Sequence, residues 1–141
     1  MRHRESNIRR MLKWVLILSA LYLTAIGLLL TFAPLKFGVG AVPADASPEL
    51  LALMRLLGGP FLGIAVLNWL SRNAEPSPAR NAIIVANLAG FGAVAANDVH
   101  GVFSGEAREV AKLFLVVHAA FALAFLALVL GAKKGDGPSR D

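Results

Sequence analysis

The sequence predicts an all-α protein, an antiparallel four-helix transmembrane bundle with N- and C-termini in the cytoplasm. Three observations carry that expectation. Hydrophobic residues make up 57% of the 141-residue chain and charged residues only 16%, whereas a soluble domain carries about a quarter charged residues. The apolar residues fall in four blocks, each long enough for one hydrocarbon core. Lys and Arg collect on one side of the alternating connections. Arg2, Arg4, Arg9, Arg10 and Lys13 precede the first block, Arg72 and Arg80 separate the second from the third, and Lys133, Lys134 and Arg140 follow the fourth. The opposite side has Lys36, Arg108 and Lys112. Ten against three places the richer side in the cytoplasm, and an even number of spans agrees with that.

The first helix is expected over about 12–33. Trp14 to Phe32 contains no charge, and nineteen residues rise about 28 Å. A signal peptide also pairs a basic start with an apolar run, but its apolar core is about 7–15 residues, so an uncleaved helix is expected, with Trp14 at the interface. Ala20, Thr24, Gly27 and Thr31 form a small, mildly polar seam suited to close helix approach. A Pro/Gly loop, 34–47, follows. The second helix is expected over 48–71, with Ser47 as cap, Pro48 in the first turn and Glu49 at the positive end of the dipole. Pro60 cannot donate to the carbonyl of Leu56, which predicts a kink. Gly59 and Gly63 are spaced for tight packing against a neighbour. Ser77-Pro78 repeats the Ser-Pro start for a third helix over 78–103. A fourth is expected over 105–132, capped by Ser104, with an amphipathic opening GEAREVAK. The tail beyond it is expected to be disordered.

The polar residues inside these blocks are the candidate site. Arg55 lies about two turns from the outer end of the second helix. Asp98 and His118 lie at similar depth on the third and fourth. An unpaired charge at mid-membrane costs about 2.5–3.5 kcal/mol on insertion scales, so an Arg55–Asp98 ion pair is expected, a planar fork meeting a carboxylate. Asn87 is eleven residues from Asp98 and shares its face, with Gly90 and Val94 between them. His100 points away from that face and reads as interfacial. On the fourth helix Phe114, His118, Phe121 and Phe125 form one stripe, and Ala120, Ala124, Ala127 and Gly131 a second, smaller one. Each residue has a structural reading beside the functional one: an ion pair, a hydrogen-bonded core histidine, a helix–helix amide, simple aromatic packing.

Several chemistries are disfavoured. The chain has no cysteine, which removes thiol catalysis and cysteine metal sites. His100 and His118 make a poor pair for haem, and no metal-ligand spacing, nucleophile elbow or phosphate loop is present. No cofactor and no nucleic acid is expected. The first helix lacks the glutamate of the small multidrug transporters.

The first helix ends GLLLTFAP (Gly27 to Pro34), the second reads LMRLLGGPFLGIAVLNWLSR (Leu53 to Arg72), and a histidine followed by aromatics (His118, Phe121, Phe125) stands in the last. Together these resemble the DoxX-like group of small bacterial four-helix membrane proteins. The resemblance covers nearly the whole chain in hydropathy, and its Arg-x-x-Gly part is the most specific. It implies a multi-pass protein of the bacterial cytoplasmic (inner) membrane. Some relatives are linked to quinone-dependent sulfur oxidation or to stress-response complexes as accessory subunits. The function expected is a non-catalytic accessory or lipid/quinone-like ligand-binding subunit with a polar cluster of Arg55, Asp98, His118 and Asn87. Alternatives are a redox-linked or proton-coupled enzyme subunit and a small dimeric transporter. Expected partners are membrane lipids and a partner membrane protein or a second copy.

Overall fold

A computed structural model describes residues 2–133, with side chains described from 6 to 131. The described residues form five helices, α1 (Arg2–Phe32), α2 (Pro34–Phe37), α3 (Pro48–Ser71), α4 (Pro78–Ser104) and α5 (Ala111–Lys133), and contain no strand. Ser6–Phe32, Pro48–Ser71, Pro78–Ser104 and Ala111–Gly131 are long and apolar enough to cross a membrane, which marks a multi-pass membrane protein. The expected disorder of the tail, with Lys134 and Arg140, lies outside the described residues.

Both Ser-Pro starts form as the sequence predicts. The Ser47 hydroxyl accepts from the Leu50 N–H at 3.3 Å, and the Ser77 hydroxyl from the Arg80 N–H at 3.2 Å, each with Pro in the first turn. These caps satisfy amides that no intrahelical carbonyl can reach. Pro60 stands inside α3 without ending it.

The loop expected over 34–47 opens with the short helix α2, whose first turn holds Pro34, and two helix boundaries differ from expectation. α1 begins at Arg2, not near residue 12, because Arg, Glu, Met, Leu and Lys are good helix formers and no Gly or Pro interrupts them. α5 begins at Ala111, not at 105. Gly105 adopts φ +77°, the left-handed conformation that ends a helix, and closes α4. The Ala107 N–H then reaches back to the Gly101 carbonyl at 2.9 Å. Arg108, Glu109 and Val110 carbonyls accept from residues three positions on, a tight turn that winds into α5. Ser104 therefore ends α4 and does not cap α5.

The chain divides into two compact units, one being Leu16–Arg72 and the other joining the start of α1 to α4 and α5. In Leu16–Arg72, the buried face of α1 repeats every three or four residues through Leu16, Ser19, Ala20, Leu23, Ile26 and Leu30, the stripe of an amphipathic helix. Ser19 meets Asn68, Gly27 meets Leu62 and Thr31 meets Gly58, so α1 and α3 run in opposite directions. The closest approach is at glycine. A methyl group on Gly58 would overlap the Thr31 hydroxyl and stand 2.7 Å from the Gly27 carbonyl oxygen, and one on Gly27 would stand 2.8 Å from Leu62 Cγ. The seam read from Gly27 and Thr31 thus meets α3. The glycine of α3 that it uses is Gly58, whereas a methyl on Gly59 or Gly63 would meet nothing within 4 Å. The Asn68 amide donates to the Ser19 hydroxyl at 3.0 Å, and that hydroxyl donates to the Leu16 carbonyl at 3.1 Å, with Ser19 and Asn68 fully buried.

In the second unit α4 packs on α5. Phe91 stacks on Phe121 and Phe125, with centroids 4.6 and 5.8 Å apart, and Asp98 meets His118. As the position on α4 rises its partner on α5 falls, so this pair too is antiparallel. Gly131 of α5 lies against Ile8 of α1. Arg9 and Glu75 form an ion pair at 3.0 Å, both largely exposed, a contact worth at most about 1 kcal/mol.

Overpacking a close helix contact costs about 1–3 kcal/mol. Gly58→Val is accordingly expected to lower stability by about that amount, read by SDS titration of the detergent-solubilised protein. Gly59→Ala, on an open face, should be neutral or slightly stabilising, because alanine favours helix over glycine.

Candidate functional site

A carboxylate in the middle of a helix can only accept hydrogen bonds, and the neighbouring amides are already engaged. Asp98 must therefore find its donor outside α4. It finds His118 on α5: Asp98 Oδ2 and His118 Nδ1 are 2.5 Å apart. Their side chains are 13% and 12% exposed, so the pair is almost withdrawn from the surface. One proton lies between them. Either the imidazole N–H donates to the carboxylate, or a carboxyl O–H donates to the imidazole nitrogen. Asp98 stands six residues before the end of α4 and His118 seven after the start of α5, so both sit about 10 Å from the Gly105 turn.

Aromatic rings enclose the pair. Phe114, one turn before His118, lies with its centroid 6.0 Å from the imidazole, and Phe91 of α4 lies 6.2 Å from it, within the usual range for ring contacts. The Arg108 guanidinium lies 5.9 Å from the Phe114 ring centroid, a cation over an aromatic face. A line of groups thus runs from the 105–110 connection inward: guanidinium, phenyl, imidazole, carboxylate. The stripe of Phe114, His118, Phe121 and Phe125 is in place, with Phe91 packed on its last two rings.

Asn87 is buried, and its amide donates to the Ile83 carbonyl of its own helix at 2.9 Å; it lies about 16 Å along α4 from Asp98. The two residues expected between them on the shared face, Gly90 and Val94, are exposed, whereas Phe91 beside them is buried. Arg55 is exposed, belongs to the Leu16–Arg72 unit, and has no ion pair among the described residues. The partner that the sequence suggested for it, Asp98, engages His118. His100 is exposed, 4.0 Å from Glu106 in the connecting segment. Sequence reading missed Phe91 and Arg108. Phe91 could have been found, being four residues beyond Asn87 and seven before Asp98 on one helical face. Arg108 could not, since it depends on how the connection folds.

No group of three His, Cys, Asp or Glu able to hold a metal ion occurs among the described residues. No protein-family model, curated protein or solved structure matches the chain.

Removing one partner of a buried hydrogen-bonded pair leaves the other unsatisfied, at about 1–3 kcal/mol. Asp98→Leu and His118→Leu should each destabilise by that order in SDS titration. The double variant should lose less than the sum of the two, because neither polar group then remains stranded.

Proposed function

We propose that this chain is a non-catalytic ligand-binding or accessory subunit of the bacterial cytoplasmic membrane, and that it holds a lipid-like or quinone-like amphiphile at Asp98 and His118. The observation that carries this reading is the 2.5 Å Asp98–His118 contact set between Phe91 and Phe114. A flat head group with a polar edge suits such a place, since rings can stack on its faces and the pair offers both a donor and an acceptor. Arg108 beyond Phe114 adds a positive charge on the approach. The membrane assignment rests on the four spans, and the inner membrane on the DoxX-like features of helices α1, α3 and α5. An antiparallel four-helix bundle with both termini in the cytoplasm is supported by the opposed directions within α1/α3 and α4/α5 and by the excess of Lys and Arg on one side.

The same contact favours a second reading, a proton-coupled or redox-linked subunit in which the shared proton moves between His118 and a reducible ligand. Imidazole can accept a proton on one ring nitrogen and donate one from the other, which suits it to such a role.

Gentle extraction in polymer-bounded membrane discs followed by mass spectrometry tests the first reading. Wild type should retain a quinone, another amphiphile or a partner protein, and His118→Phe should lose it while remaining helical by circular dichroism. An empty, partner-free, monodisperse wild type would overturn the reading. The second reading expects proton uptake from the medium as the ligand is reduced by two electrons, and release as it is reoxidised, both of which His118→Phe abolishes.

A further inference from the structure

We infer that α3 carries a separate seat for an anionic membrane lipid, with Arg55 holding the head group and the bare backbone at Gly59 and Gly63 receiving the chain. This goes beyond the Asp98–His118 reading and uses residues of the other unit.

The first observation is the charge. Arg55 is the one Lys, Arg, Asp or Glu between Glu49 and Arg72. It is exposed, and has no ion pair among the described residues. In a membrane span an arginine needs an anion or water. It stands seven residues after Pro48, about 10 Å along the helix, and its long side chain can extend back toward the interface where lipid phosphates lie. Its fork of donors fits a phosphate at two points.

The second observation is the shape of the same face. At about 100° per residue, Arg55, Gly59, Gly63, Val66 and Leu70 line one side of α3. Away from it lie the buried residues Met54, Gly58, Ala65 and Asn68, of which Gly58 and Asn68 meet α1. A methyl group on Gly59 or Gly63 would meet nothing within 4 Å, so the helix surface on the side of the guanidinium is bare backbone at these two positions.

A second copy of the chain fits the face less well. Two copies in one membrane are related by an axis along the membrane normal, which would set their Arg55 side chains at equal depth and repelling at low dielectric. A lipid phosphate neutralises the charge instead.

The test is native mass spectrometry of the full chain in a non-ionic detergent, titrated with phosphatidylglycerol or with phosphatidylcholine of the same acyl chains. Wild type should retain phosphatidylglycerol in preference. Arg55→Gln should cut that retention about fivefold, the equivalent of roughly 1 kcal/mol for one basic residue on an anionic lipid. Gly59→Leu/Gly63→Leu should reduce retention of phosphatidylglycerol with the charge intact. Lys112→Gln, which removes an exposed cation of the other unit, should leave phosphatidylglycerol retention unchanged, which separates this seat from general attraction between basic residues and anionic lipid. Unaltered helix content by circular dichroism confirms that each variant is folded. Equal retention of the two lipids by wild type, or retention unaffected by Arg55→Gln, overturns the proposal. So does a dimer that Gly59→Leu dissolves, since a second copy would then occupy the face.

Discussion

Hydrocarbon offers no hydrogen-bonding partner, so every polar group in these spans must be satisfied by the protein or by what the protein binds. That constraint explains where the polar side chains point. Thr24 and Thr31 donate to carbonyls four residues back, at 2.8 Å each, and Asn87 does the same at 2.9 Å. A donor can be satisfied within its own helix in this way because a helical carbonyl has a second lone pair. A carboxylate cannot, because no free amide lies within reach of it. Asp98 therefore joins two helices. Asn68 is intermediate: it reaches across to Ser19, which passes the bond on to its own backbone.

Each unit is thus fastened by a polar contact between its helices within an otherwise apolar interface. Glycine provides the close approach in one, aromatic stacking the fill in the other. Gly27 and Gly58 let α1 and α3 meet backbone to backbone, where dispersion and weak polar contacts act at short range. Phe91 occupies the corresponding space between α4 and α5, against Phe121 and Phe125. His118 of the pair lies beside that aromatic stack, its ring centroid 6.2 Å from that of Phe91.

Features set by local chemistry were legible in the sequence. The four spans follow from apolar length, and both Ser-Pro caps from residue type at fixed offsets. The start of α5 was not, because GEAREVAK has a helical pattern and the Gly105 turn overrides it only once α4 and α5 must pack. Gly59 and Gly63 illustrate a second limit. Their spacing marks a smooth face but not what lies against it, and the neighbour chose Gly58 instead. For the site, depth and helical phase brought Asp98 and His118 to one level, as the structure does. Phase alone could not name the partner: it assigns a residue to a side of its own helix, not to the helix standing there. Arg55 was the more obvious counter-ion by charge, and His118 is the one that Asp98 touches.

The polar contacts also bear on how the chain enters the membrane. Each joins two successive spans: Ser19 to Asn68 across 49 residues, and Asp98 to His118 across 20. A ribosome adds about 5–20 residues per second, so His118 is synthesised within a few seconds of Asp98. The costliest side chain of α4 therefore waits only briefly at the insertion machinery before its partner is available. Helical hairpins delivered in pairs would carry that carboxylate into lipid already matched, so the short Gly105–Val110 connection limits the time an uncompensated acid is exposed during biogenesis.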